Sequence, residues 1–361
     1  MNGGASGRNW RRAAAKFGLW SGVVASAAWG ASFSFERTLN EVAGAGEAAV
    51  SGTSVDASDF AERPATEAER LLREAIDRLE GLRSVSANLD FEARLFGERY
   101  YGRGRYEETG EANSASVGAS RRSALENVRY RLRASVACGN AKEARDAGEE
   151  NVLEIVCDCD RQALWTYSSL EGAKSLTRID VAELSNGLAS LSAEELAAVG
   201  VEGPCAMNGL PGLGGLAGTL RRLSAVYRFE SRIERAPEFK GTEVVKITGR
   251  AREPFWTTSK RRLGVDKFEP YLSENLPGNV EIYLGADWPF PYKIVYFSLA
   301  DNAEKTRNDI FTVEYSSVTR NDATIRPENF NYNQPQITFE RATSKYVESL
   351  ISEAEQNGAT R

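Results

Sequence analysis

The residues able to do chemistry are few in this chain, and one type is missing: there is no histidine among its 361 residues. That removes Ser-His-Asp and Cys-His nucleophilic catalysis, together with every histidine-ligated zinc, copper or iron site. Chemistry by carboxylates, lysine or tyrosine stays open, without the commonest general base. No pair of carboxylates is marked out for a hydrolytic acid–base mechanism, so no catalytic residue is assigned. Four cysteines, Cys138, Cys157, Cys159 and Cys205, are an even number that allows three pairings. Cys157 and Cys159 lie two apart on one expected strand, so a bond between them is not expected. Two bridges, buried thiols and a C-x-C metal site stay open at this point. Asp158 and Asp160 flank Cys159, yet a turn between strands also uses aspartates. No metal site is assigned.

Two further patterns have a chemical reading beside a plainer one. Gly212, Gly214, Gly215 and Gly218 match a loose G-x-G-x-x-x-G nucleotide pattern. Pro211 and Gly209 precede them where a buried strand should stand, and no βαβ unit surrounds them, so no cofactor is expected. Arg250, Arg252, Lys260, Arg261 and Arg262 form a basic cluster in an acidic protein, with net charge −6 and pI near 5.2. The cluster suits anionic lipid headgroups or a membrane partner, or is a solvated loop. The overall charge argues against a nucleic-acid binder.

Hydrophobic spacing carries more. Leu213, Leu216, Leu220, Leu223 and Tyr227 recur at spacings of three, four, three and four, which predicts a helix with a narrow leucine stripe. Val181, Leu184, Leu188 and Leu191 predict a shorter helix before it. The four glycines lower the helicity of the leucine segment, by up to about 1 kcal/mol each, and read as freedom to move. These helices, in residues 181–225, interrupt a chain that otherwise alternates with period two. In residues 85–95 the inward positions Val85, Ala87, Leu89, Phe91, Ala93 and Leu95 alternate with polar residues. Further strands are expected at 99–107, at 128–136 with Leu132 facing in, at 153–159, at 163–167 with Trp165, and at 175–179. Strands resume at 227–235, 243–249, 280–284, 292–299 and 309–318.

The folded part starts at Pro64, where Thr66 and Glu69 form a capping box ahead of Leu71, Leu72, Ala75, Ile76, Leu79 and Leu82. A helix over 339–355 ends the chain. About eleven antiparallel strands with helices before, among and after them predict a mainly β fold with some α. The economical arrangement is one strongly curved antiparallel sheet, an incomplete barrel, whose concave face the helices cover as a lid. Its folded domain spans 64–336, with a C-terminal helix and tail in 337–361.

The N-terminus reads as an address. Arg8, Arg11, Arg12 and Lys16 precede an uncharged run over 17–35, which is the pattern of an export signal. Cleavage after Ala27 or Gly30, an uncleaved anchor in the inner membrane, and a twin-arginine route stay open. No cysteine follows the apolar run, so the chain is not itself a lipid-anchored lipoprotein. Residues 36–63 form an Ala, Gly, Ser and Glu-rich spacer expected to be disordered. The expected location is the periplasm, the soluble part of the envelope.

Several stretches resemble one family. Residues 78–85, RLEGLRSV, look like the end of a first helix entering a first strand. Gly102, Arg103, Gly104, Arg105 and Tyr106 resemble a G-x-G-aromatic second strand. Residues 160–167, DRQALWTY, resemble a D-G-K-x-L-W-x-Y hairpin with Arg161 in place of the glycine, and residues 329–335, NFNYNQP, resemble a final F-x-F-x-x-P strand. In order and spacing these resemble the periplasmic lipoprotein carriers of the LolA/LolB-like family, over about residues 70–335. The resemblance implies an incomplete barrel with a helical lid, no enzymatic activity, and carriage of lipoprotein acyl chains or other lipid-like cargo by a monomer. It also implies a membrane-bound donor or acceptor. The chain departs from the family in lacking an Arg-Pro after the second strand and in carrying a polar insertion over 108–122. Lid and cavity would then be lined by Leu184, Leu188, Leu213, Leu216, Leu220, Leu223, Leu89, Phe91, Leu132 and Trp165, unless the space beneath the stripe is an ordinary filled core. The same half-barrel also suits an envelope-stress or regulatory sensor.

Overall fold

Helix α1, Glu67–Glu80, opens the described part of the chain, and its start shows why the sequence folds there. The Glu69 N–H donates to Thr66 Oγ1 at 3.1 Å, and the Thr66 N–H donates to Glu69 Oε2 at 3.0 Å. This reciprocal cap satisfies two amides that have no partner within the helix. Leu72, Ala75, Ile76 and Leu79 form its buried face. The computed structural model describes residues 65–95, 98–110, 128–139, 151–158, 163–170, 172–188, 214–230, 232–252, 277–299, 307–332, 337–344, 347–348 and 351. The expected export signal and spacer, Leu213, Cys159, Cys205, Lys260, Arg261 and Arg262 lie outside these residues.

The strands are β1 (Ser84–Leu95), β2 (Glu98–Gly110), β3 (Val128–Cys138), β4 (Val152–Asp158), β5 (Ala163–Leu170) and β6 (Ala173–Asp180), followed by helix α2 (Val181–Leu188). Helix α3 (Gly215–Val226) runs straight into β7 (Tyr227–Phe229), then come β8 (Glu234–Arg235), β9 (Val244–Ala251), β10 (Asn279–Gly285), β11 (Pro291–Leu299), β12 (Arg307–Arg320) and β13 (Glu340–Arg341). All thirteen join one sheet in the order β13-β6-β5-β4-β3-β2-β1-β12-β11-β10-β9-β7, with β8 also on β9. The sheet is open, because the end strands β13 and β7 do not pair with each other. Every pairing is antiparallel except β13 on β6.

This is the expected architecture, with two short strands more than the sequence reading counted. Its curvature has local causes. Register shifts interrupt β1 with β12 between Ser86 and Asn88, β10 with β11 between Tyr283 and Leu284, and β11 with β12 between Tyr296 and Phe297. At the first of these Ser317 sits at φ 51°, in the left-handed region, where an extra residue bends a strand. Gly102 and Gly104 lie at inward positions of β2. A Cβ at Gly102 would strike the ring of Phe91, and one at Gly104 would strike the backbone of β3. The G-x-G spacing therefore lets the sheet close tightly around an aromatic side chain.

One apolar core fills the concave side. It joins α1, α2 and α3 to inward residues from β1, β2, β3, β4, β5, β6, β7, β9, β10, β11 and β12. A second, smaller core lies on the outer face of β4, β5 and β6, where Val156, Ala163, Trp165 and Leu176 pack against Tyr332, with Ile337 and Phe339 beside them. All seven residues of β4 are buried for this reason. The chain after β12 supplies that outer layer. It makes a 3-10 turn at Pro327–Phe330 rather than the final strand expected at 329–335, because Pro327 at the first turn position favours a helical start. The expected helix from residue 339 begins later, since Glu340–Arg341 pair with β6; residues 343–344 and 347–348 are helical.

Candidate functional site beneath helix α3

The leucine stripe lands where its spacing requires. Leu216, Leu220 and Leu223 are at most 1% exposed and belong to the concave core, as do Leu184 of α2, Leu89 and Phe91 of β1, and Leu132 of β3. Phe91 stacks on Phe311 of β12 at 5.9 Å. Leu188 is the last residue of α2. Trp165 stands apart from this group. It occupies the opposite face of β5 from Leu164, stacked on Tyr332 at 5.1 Å and edge-on to Phe339 at 5.3 Å. Strand alternation is the reason: one residue along a strand changes the face.

α3 leans on α1 as well as on the sheet, and Arg221 of α3 pairs with Glu80 at the end of α1. The N-terminus of α3 is unusual. Gly214, at the cap position with φ 81°, has no side chain to accept a helix amide. The acceptor comes from the sheet. Glu108, near the end of β2, takes the Leu216 N–H on Oε2 at 3.0 Å and takes the Tyr106 hydroxyl on the same oxygen. Gly215, at φ 62°, allows this approach, since a Cβ there would lie 2.5 Å from that carboxylate oxygen. The glycines thus serve close packing of the helix end against a charge, in addition to lowering helicity.

Glu108 was not among the residues singled out by sequence; it was grouped with the polar insertion. Period two shows it in hindsight: Gly102, Gly104 and Tyr106 face inward, so residue 108 does too once β2 runs on to Gly110. Tyrosines surround it. Tyr106 lies 6.1 Å from Tyr130 and 5.9 Å from Tyr315, ring to ring, and Tyr315 is a further 5.9 Å from Phe290. The Tyr315 hydroxyl is buried with no hydrogen-bond partner among the described residues. Burial is the largest influence on Glu108 and pushes its carboxyl up to about 7, while the bonds from Tyr106 and Leu216 pull the other way. Tyr106 and Tyr315 are both held well above the ordinary tyrosine range, chiefly by burial.

The other buried carboxylates face outward. Glu154 pairs with Arg131 at 2.7 Å, and Glu281 with Lys246 at 3.3 Å and Arg307 at 2.9 Å. Asp158, also buried, shares the outward side of β4 with Val156, whereas Glu108 faces the concave core. No group of three or more Cys, Asp or Glu among the described residues is placed to hold a metal ion. Cys157 points into the core from β4 opposite Tyr130, while Cys138 ends β3. Eight residues of strand separate those positions, about 27 Å, which removes the Cys138–Cys157 pairing. No helix among the described residues is long and apolar enough to cross a membrane.

No known family description matches this chain, and no curated protein does either. Solved structures do resemble it. LprF from Mycobacterium bovis is 11% identical, over 74% of this chain and 98% of LprF, with a TM-score of 0.33. An outer-membrane lipoprotein-sorting protein domain from Vibrio parahaemolyticus is 12% identical, over 73% of this chain and 97% of its own, with a TM-score of 0.27. The MucA/MucB complex of Pseudomonas aeruginosa matches at 12% identity and a TM-score of 0.33, with this chain spanning 60% of that one. The strand order itself carries the fold: an open, curved half-barrel around helices.

Proposed function

We propose that this chain is an exported, non-enzymatic carrier that takes acyl chains of lipoproteins or other lipid-like cargo between the concave sheet and α3. The observation that carries the reading is the seating of α3. Its leucines meet the sheet through apolar contacts, which are non-directional and tolerate sliding or lifting. One polar tie from the sheet, Glu108 to Leu216, fixes its N-terminus. A helix held this way can part from the sheet and expose a large apolar concavity without breaking the strand ladder. Acyl chains then replace the leucines as the buried surface, and sequestration rather than bond-making is the activity.

A fluorescent fatty-acid probe tests this on the purified protein. Saturable binding is expected for the native sequence, with loss of binding in Leu220→Asp and retained strand content by circular dichroism. Leu220→Ala, a milder change, should weaken binding. A native protein that ignores the probe overturns the reading and leaves the stripe as ordinary core.

A further inference from the structure

We propose that Glu108 is a proton-operated latch on α3: its neutral carboxyl keeps the helix seated on the concave face, and loss of the proton releases it. This rests on the reading of α3 as a movable lid, though its test needs no ligand.

The geometry leads to it in three steps. First, α3 has no cap of its own, so the Leu216 N–H has its partner only while Glu108 is in place. Secondly, Glu108 is 6% exposed, and the described groups around it are uncharged: Tyr106 on its own strand, Val85 opposite it on β1, Tyr130 on β3 and Tyr315 on β12. Further along the same interior stand Tyr296 on β11 and Tyr227 on β7. The cations on α3 act elsewhere: Arg222 influences Tyr227, and Arg221 pairs with Glu80 of α1. Among the described residues, the balance on Glu108 is set by burial against two hydrogen bonds, and no cation enters it. A buried carboxylate without a counter-charge is costly, and the helix N-terminus offsets only part of that.

Thirdly, lifting α3 returns Glu108 to water, where its carboxyl ionises in the ordinary range. The seated state then binds the proton more tightly than the lifted state. By linkage, a seated helix is favoured at low pH and progressively lost as pH rises through about 7. The neutral carboxyl still serves the latch, because its carbonyl oxygen accepts the Leu216 N–H.

Hydrogen exchange on the full chain without ligand reads this directly, with amide protection in α3 compared with that in β12 and corrected for intrinsic rates. Between pH 5.5 and 8.5 protection in α3 should fall about thirtyfold while β12 holds. Glu108→Gln keeps an acceptor for Leu216 and has no proton to lose, so its α3 protection should be flat across that range. Tyr106→Phe removes a bond that favours the ionised form, so its transition should move to higher pH. This variant decides the matter should the glutamine protein fail to fold. A native profile without a pH transition in α3, a Glu108→Gln profile that follows the native one, or a Tyr106→Phe transition unmoved or lowered overturns the latch. None of these outcomes depends on whether acyl probes bind.

Discussion

The backbone N–H of Leu216 donates to Oε2 of Glu108 at 3.0 Å, so a strand residue caps a helix that begins 107 positions later in the chain. At the other end of α3 the Val226 carbonyl accepts the Arg252 N–H at 2.9 Å, and the Glu108 bond fixes where the helix starts. It also places a titratable group at the boundary between α3 and the sheet.

The first consequence concerns stability and pH. Glu108 has a folded value raised to about 7, above its ordinary 4.5, so the folded state holds the proton more tightly. Its contribution is fully present below about pH 4.5 and is lost as pH rises through about 7. Glu108→Gln should stabilise the protein at pH 8 by up to about 3 kcal/mol and alter it far less at pH 5. Urea unfolding at both values checks this.

Gly215 gives a second test. At φ 62° a side chain is strained in any surroundings, and here a Cβ also meets the Glu108 carboxylate. Gly215→Ala should cost about 1–3 kcal/mol. Combined with Glu108→Ala, the steric part of that cost should vanish while the backbone part remains, a coupling that a double-mutant cycle measures in denaturant.

The outer face has its own tie. Asp90 of β1 and Glu314 of β12 stand directly opposite each other, like charges that should repel. Lys240, from the turn after β8, bridges them at 3.4 and 3.3 Å, and Arg103 and Lys293 flank the pair at 2.7 and 2.9 Å. Lys240→Met should cost about 1 kcal/mol or less, and the loss should shrink in 1 M salt. Thermal melts at low and high salt check it.

Trp165 separates the two faces of β5. Trp165→Phe should lower stability by about 1–2 kcal/mol, since it removes indole contacts with Tyr332 and Phe339. It should leave affinity for an acyl probe unchanged, unlike substitutions at Leu216, Leu220 or Leu223. Probe titration of the folded variants distinguishes them.

Much of this was legible in the sequence because period and cap chemistry are local. Thr66 with Glu69 marked the start of α1, the alternation from Val85 marked β1, and the leucine spacing marked α3. What escaped depended on long-range placement. Trp165 was expected under the lid, but only the sheet's coverage on both sides reveals that its face belongs to the C-terminal layer. Glu108 read as the start of a polar insertion, since an inward charge breaks the pattern that identifies strands. Its purpose is visible only when Gly215 and Leu216 arrive beside it. Residues 329–335 resemble a family's final strand, yet Pro327 starts a turn and Tyr332 packs into the outer core.

The most direct test of the carrier account is native mass spectrometry of the mature protein, purified gently from the envelope fraction of its own cells. The account predicts co-purifying acylated species that leave on denaturation, and that are absent from a Leu220→Asp protein prepared the same way. A native protein that emerges at its bare polypeptide mass, and also fails to take up added fatty acids, contradicts it.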